Sequence, residues 1–373
     1  YPSGGELRSA VILNDTDGDG VQEAFAFYSR GEEEMHLVMI RRNGEKWTAC
    51  DDTSLTAGGV ERIDFCDFDG DGTAEVLVGW EIHGSTDKQL AIYDIRSGKF
   101  RQLMLERYTA YISCDLDSDG QFELFLQLLS SSDSANRAYL YHYGNEGFTE
   151  VSSCSMDRGV KSVVSQSALP LSSGQPAIYI DELKNAGAIT EVLFFSKGQL
   201  VNPLLGETNG ENSKTERAAS LNCLDIDKDG VVEIPVAEEI PAVTGSAEKC
   251  YYTQWRSFNG ETLLTKRTDL INQTDGFYMV FPEKWIGHIA IYRDTEKRLR
   301  EFYALNENGQ PETVLARLKA VKLSDWESEG YPRGGLTELL RNKNTVLAGE
   351  VGESGGAFAI TLENLKRQLY IIE

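Results

Sequence analysis

Four stretches of the chain each carry four carboxylates within nine residues. They are Asp15, Asp17, Asp19 and Glu23; Asp67, Asp69, Asp71 and Glu75; Asp115, Asp117, Asp119 and Glu123; and Asp225, Asp227, Asp229 and Glu233. Each stretch reads DxDxDGxxE, with Gly20, Gly72, Gly120 or Gly230 at position 6. Alternate side chains of a tight loop converge on one centre, where three like charges repel unless a cation lies among them. Calcium fits that centre, because it takes six to eight oxygens at about 2.3–2.6 Å. The fifth oxygen is the position-7 carbonyl, from Val21, Thr73, Gln121 or Val231. Magnesium fits less well, since it demands a stricter octahedron and keeps its waters. Asp and Gly also favour plain turns, but turn chemistry does not account for four copies that all end in Glu.

An EF-hand would place a bidentate Glu at position 12 and continue as a helix. Position 12 here is Ala26, Val78, Leu126 or Val236, each inside a strand-like run. The pattern therefore predicts calcium loops inside β-hairpins, with about four ions in all. No nucleophile or base adjoins the loops, so the expected role of the metal is structural.

The loops begin 52, 48 and 110 residues apart, so a degenerate copy belongs in the last gap. Leu169-Pro170-Leu171-Ser172-Ser173-Gly174 supplies it, with Gly174 at the turn-glycine position and no carboxylate. Short apolar runs precede the loops at 9–13, 60–65, 110–113, 161–165 and 219–223, and others follow at 24–28, 76–80, 124–129, 177–180 and 232–236. Third runs lie at 37–40, 90–95, 138–143, 191–195 and 250–255, and each leads to a turn glycine: Gly44, Gly98, Gly147, Gly198 or Gly260. A fourth strand closes the unit, as at 99–103 and 260–264. Such runs bounded by Gly, Asn and Ser read as strands and hairpins. Each unit is then a four-stranded antiparallel meander, and radial repetition of such sheets is the β-propeller design. The expected fold is mainly β, with five blades over residues 5–268 and six or seven as the alternative.

These DxDxDG hairpins resemble the FG-GAP/VCBS repeats of integrin-like propellers, which implies a propeller domain over residues 1–268. The FG-GAP tripeptide itself is weak, which makes the resemblance one to the bacterial, VCBS-like version. The resemblance implies a calcium-stabilised surface module. Similar bacterial proteins are often cell-surface lipoproteins, which would put a lipid anchor upstream of Tyr1. All-oxygen calcium sites also suit extracellular calcium, and a first residue other than Met fits either a removed export signal or a chain cut from a longer one.

From about Asn272 the repeat stops, and residues 269–373 read as a small α+β domain. Residues 276–285 form a strand running into a turn. Further strands are expected at 289–292, 300–305, 314–323 and 346–350, and a helix at 361–372, capped by Thr361. The Phe281-Pro282-x-x-Trp285 element resembles the opening of PsbP/Mog1-like domains over that strand and turn alone.

Composition narrows the function. With 59 acidic against 36 basic residues the net charge is −23. That excess argues against a nucleic-acid backbone or an anionic membrane surface as partner, and much of it lies in the four loops. No run reaches the roughly 20 apolar residues of a membrane helix. The six cysteines show no CxxC pair, and most of them read as free, small buried hydrophobes. His36, His83, His142 and His288 are scattered and read as strand or surface residues. HExxH, GxSxG, Walker A and Rossmann signatures are absent. Residues 352–356 are loop chemistry, and Glu32-Glu33-Glu34 is a solvated run. Trp47, Trp80, Tyr93, Tyr139, Tyr141, Trp255 and Trp285 can form a glycan platform, though blade packing accounts for most of them. The leading expectation is a non-enzymatic module with no catalytic residues, binding a protein or glycan on a propeller face. The alternative is an exported polysaccharide lyase or hydrolase.

Overall fold

The structure is a computed structural model and describes residues 10–31, 33–85, 88–130, 136–145, 147–184, 187–218, 221–246, 249–352 and 356–372. Tyr1, Ser9, Glu32, Ala219 and residues 353–355, which figure in the expectations above, lie outside the described residues. The chain falls into two compact units, Tyr1–Ser213 and Lys214–Glu373.

The first unit holds four antiparallel sheets, each met in chain order. The first comprises Val11–Asn14, Glu23–Ser29, Glu34–Asn43 and Lys46–Thr56. The second comprises Gly59–Cys66, Glu75–Glu81, Lys88–Asp94 and Arg101–Tyr108. The third comprises Ala110–Cys114, Glu123–Leu128, Arg137–Gly144 and Gly147–Ser155. The fourth comprises Val160–Pro170, Pro176–Lys184, Gly187–Ser196 and the short Gln199–Val201. Every turn glycine expected between the third and fourth strands has positive φ, from 63° at Gly44 to 102° at Gly260 in the second unit. That conformation is open to glycine without the Cβ penalty.

Successive sheets bury facing side chains. Phe25, Leu37 and Met39 of the first pack on Val76, Val78 and Trp80 of the second. The alternate residues of the second, Leu77, Leu90 and Ile92, pack on Leu124 and Leu126 of the third. Phe125 and Leu140, on the third sheet's other face, meet Ile178, Ile180 and Leu193 of the fourth. Side chains alternate across a strand, so a strand buried on both faces has no polar face. That is why the second strands read as unbroken apolar runs such as VLVGW. Each Leu, Ile or Phe buried this way contributes roughly 1.5–3 kcal/mol. A register shift recurs in the third-to-fourth-strand ladder, at Met39/Ile40, Ile92/Tyr93 and Leu140/Tyr141. Bulges of this kind sharpen local twist, and nothing in the sequence announced them.

The second unit holds two five-stranded antiparallel sheets. One contains Glu233–Ile240, Cys250–Phe258, Leu263–Asn272, Phe277–Val280 and Leu369–Ile371. The other contains, in spatial order, Ile289–Asp294, Leu299–Leu305, Pro311–Lys322, Thr345–Val351 and Thr337–Arg341. Leu270, Phe277 and Met279 of the first pack on Ile289, Phe302 and Leu347 of the second. The α+β expectation for 269–373 changes accordingly. Residues 277–280 and 369–371 add strands to the sheet begun at Glu233, and Leu263–Asn272 runs through the expected 268/269 boundary. Thr361 caps a helix, its side chain accepting from the Asn364 N–H, but the helix is only Leu362–Arg367. Leu369 continues as a strand because pairing with Met279 offers its backbone a sheet partner. Residues 221–223 form no strand either, and one bridge, Leu224 to Glu233, stands in for that hairpin.

The described chain is thus mainly β and contains six sheets, against an expectation of five blades. Among the described residues no helix is long and apolar enough to cross a membrane. None of the six cysteines forms a disulfide.

Candidate metal centres

The four acidic loops share one hydrogen-bonded frame. The position-6 glycine N–H donates to the position-1 carboxylate: Gly20 to Asp15 (3.0 Å), Gly72 to Asp67 (3.0 Å), Gly120 to Asp115 (3.1 Å) and Gly230 to Asp225 (3.0 Å). The position-7 N–H of Val21, Thr73, Gln121 or Val231 donates to the position-5 carboxylate of Asp19, Asp71, Asp119 or Asp229, at 2.7–2.8 Å. Strand pairing stops at Asn14–Glu23, Cys66–Glu75 and Cys114–Glu123, leaving the acidic loop outside the ladder. Position 4 is left-handed in every copy, with Gly18, Gly70, Ser118 and Lys228 at φ 62–68°. Position 12 lies inside a strand each time, as expected for a hairpin and not for an EF-hand.

The position-9 glutamates are buried, at 4%, 1%, 1% and 0% exposure for Glu23, Glu75, Glu123 and Glu233. One oxygen of each accepts the position-2 backbone N–H, from Thr16, Phe68, Leu116 or Ile226. Buried Asp17 Oδ1, Asp115 Oδ1, Glu123 Oε1 and Glu233 Oε1 find no hydrogen-bond partner. Leaving such acceptors bare is costly, and a cation among them would satisfy them. Ligand atoms of Asp15/Asp17/Asp19, Asp67/Asp69/Asp71, Asp115/Asp117/Glu123 and Asp225/Asp227/Asp229 lie within 4.8 Å of one another. Burial, with the charges of Asp69 and Asp67, pushes Glu75 up to about 7. Burial and the neighbouring aspartates raise Glu123 and Glu233 as well. The residues fit a hard cation: every donor in these four sets is an oxygen, and the carboxylates of each loop outnumber the positive charges beside it.

The degenerate copy takes a different shape. Strand pairing runs on through Leu169–Ala177 and Pro170–Pro176. The turn is therefore residues 171–175, closed by Leu171 N–H to Gln175 O and Gly174 N–H to Leu171 O, both 2.8 Å. Gly174 keeps its positive φ of 87°, but the turn does not match the acidic loops residue for residue. Without mutually repelling carboxylates, the backbone closes tightly on itself.

A cationic or imidazole side chain stands beside each acidic loop, which sequence reasoning missed. Arg41 lies 3.7 Å from Asp17. Arg96 donates to Asp69 (3.0 Å), Asp71 (2.8 Å) and Asp94 (2.9 Å). Burial alone would raise the Asp94 carboxyl, but Arg96 and Arg101 together hold it well below the usual range. His142 Nδ1 lies 3.7 Å from Glu123 Oε1, and Lys266 Nζ lies 3.2 Å from Asp229. The usable signal was register, since these residues lie on strands of the same sheet as the loop-bearing hairpin or just beyond them. Of the other histidines, His36 is buried, bonded to Asp52 at 2.6 Å and stacked on Tyr28. His288 stacks on Phe358. Of the candidate glycan platform, Trp80, Tyr93, Trp255 and Trp285 are core residues, whereas Trp47 is exposed.

A second acidic cluster, also missed, lies in the fourth sheet. Asp157, Glu182 and Glu191 are each 0% exposed. Lys184 Nζ bridges Asp157 (3.0 Å) and Glu211 (3.1 Å). Glu182 accepts from Gln127, and its carboxyl is raised well above its ordinary value by burial and by Glu191.

The FG-GAP-like repeat family matches residues 15–78, from the first Asp of the first loop to the strand after the second. No curated protein matches the chain. Among solved structures, the chain is similar to the exotype rhamnogalacturonan lyase YesX, at 9% identity and a TM-score of 0.37, covering 82% of this chain and 72% of that one. It is also similar to Saccharomyces cerevisiae Sqt1, at 13% identity and a TM-score of 0.35, covering 82% and 73%. At those scores the likeness bears on no functional assignment.

Proposed function

We propose that this FG-GAP-like repeat protein is a calcium-stabilised, propeller-like module that binds a protein or glycan partner and performs no catalysis. The observation that carries the calcium reading is the set of buried, unpartnered carboxylate oxygens: Asp17 Oδ1, Asp115 Oδ1, Glu123 Oε1 and Glu233 Oε1. The residues that would hold the ions are the Asp at positions 1, 3 and 5, the position-7 carbonyl and the position-9 Glu. Bound calcium supplies positive charge that cancels the repulsion within each loop. The hairpins then hold their neighbouring sheets in place, and the loops and strand edges are left free to meet a partner.

The second loop is the weakest of the four in this reading, because Arg96 already supplies charge to Asp69 and Asp71. Loops built from oxygen donors, without a helical EF-hand frame, suit millimolar calcium. That preference supports a location outside the cell or on its surface. Equilibrium dialysis against 45Ca2+ tests the calcium reading, and about four ions per chain are expected. Fewer than two would sink it. An array of proteins and glycans probed with and without calcium tests the binding role; a partner captured by the calcium-loaded form supports it. Turnover of a polysaccharide by the purified protein would replace it with the enzyme reading.

A further inference from the structure

The third loop differs from the other three in what stands across the hairpin from its position-9 Glu. The ladder Leu124–Tyr141, carried one step further, sets Glu123 opposite His142. The same step sets Arg41 opposite Glu23 and Asp94 opposite Glu75, while Ser257 pairs with Glu233. Arginine repels a metal ion, Asp94 is taken up by Arg96 and Arg101, and serine is a poor ligand. Only the third loop presents an imidazole.

Ligand atoms of Asp119, Glu123 and His142 lie within 4.8 Å of one another. Glu123 is 1% exposed, and its Oε1, with no hydrogen-bond partner, points toward the imidazole from 3.7 Å. That gap is too long for a hydrogen bond. It is the separation of two ligands about 2.1 Å from one ion, at an angle of roughly 120°. His142 and Gln121 also line a groove of about 570 Å³, with Arg96 and Arg101 among the other lining residues and both already bonded to Asp94, so the imidazole is open to solvent.

We propose that Asp119, Glu123 and His142 form a site for a divalent transition ion of the zinc type, distinct in chemistry from the all-oxygen loops. Imidazole with carboxylates favours zinc, nickel or copper over calcium, which is a hard cation. Three protein ligands leave further positions open to water or to a ligand atom from the groove. Asp119 and Glu123 belong to both sets, so at this loop the transition ion competes with calcium. The assignment does not depend on calcium occupying the other three loops.

The test is equilibrium dialysis of the whole chain against micromolar Zn2+ in millimolar Ca2+, with metal analysis. The wild type should retain one more zinc ion than His142→Gln, and one more than Glu123→Gln, which can still accept the Leu116 N–H. Substituting Co2+ gives a second readout, a visible absorption band that both variants lack. Equal zinc content in wild type and His142→Gln, or an unchanged cobalt band, would overturn the assignment. Calcium stoichiometry read in the same samples separates this result from the fate of the calcium reading.

Discussion

The third sheet's loop and the fourth sheet's turn occupy the same place in neighbouring hairpins, yet they solve it differently. The loop Asp115–Glu123 holds four carboxylates, spends two left-handed residues (Ser118 and Gly120) and leaves two buried oxygens bare. The turn at 171–175 has no carboxylate, needs only Gly174 in that conformation and closes with two short backbone bonds. The fourth sheet forms without metal chemistry at that end. A β-hairpin here therefore does not require the acidic loop, and turn formation does not account for the carboxylates. The fourth sheet buries its acids elsewhere, in the Asp157–Glu182–Glu191 cluster, where Lys184 pairs with Asp157 and burial favours the neutral form of Glu182.

The most severe way to break this contrast is to remove divalent ions. A ligand that binds only the folded state at a hundredfold excess over its Kd adds roughly 2.7 kcal/mol per site. Chelation should therefore lower the melting temperature by about 5–10 °C for each occupied loop, followed by scanning calorimetry with and without EGTA. A melting curve that ignores the chelator would leave the carboxylates unexplained by stability.

Single substitutions sharpen the same contrast. Asp115→Ala should cost about 2–3 kcal/mol in saturating calcium and little in EGTA, whereas exposed Ser172→Ala should stay within about 0.5 kcal/mol in both. Urea melts of the two variants in both buffers give the comparison. Equal losses for the pair would mean that turn geometry, not metal, sets the cost.

The fourth sheet's acids predict a pH effect of their own. Burial and Glu191 raise the Glu182 carboxyl in the folded protein, so folding favours its protonated form. That stability is fully present below the ordinary Glu range and is lost as pH rises through the elevated folded value. The facing groups are Glu191, Asp157, Lys184 and Gln127, with Glu211 beyond Lys184. Glu182→Gln should remove this contribution and make the variant gain on the wild type between pH 5 and pH 8. Parallel stability-against-pH curves for the two proteins would show that folding does not favour the protonated form.

The smallest effect tests the loop backbone. Ser118 sits at φ 64°, where a Cβ costs on the order of 1 kcal/mol. Ser118→Gly should stabilise the calcium-loaded protein by roughly 0.5–1 kcal/mol, less the entropy glycine adds to the unfolded chain. A destabilised variant would mean that the Ser118 side chain makes a contact worth more than the strain.

Much of this molecule is written locally, and that part the sequence determined by itself. Alternating Asp with a glycine at position 6 dictates a tight acidic loop whatever surrounds it. Apolar runs such as 76–80 and 124–126 can only be strands buried on both faces, and their spacing sets the hairpins and their turn glycines. What the tertiary structure decided involves residues far apart in the chain. The partners Arg41, Arg96, His142 and Lys266 reach the loops only through strand register. The strand at Leu369 forms where helical periodicity pointed the other way, because residues 277–280 present an unpaired edge. Residues 289–351 build a sixth sheet whose strands were largely legible one by one; with no acidic loop to mark its hairpin, only their pairing shows that they form one sheet. Side-chain identity fixes what a segment can do alone; which neighbour satisfies its backbone and its charge is settled when the whole chain closes around it.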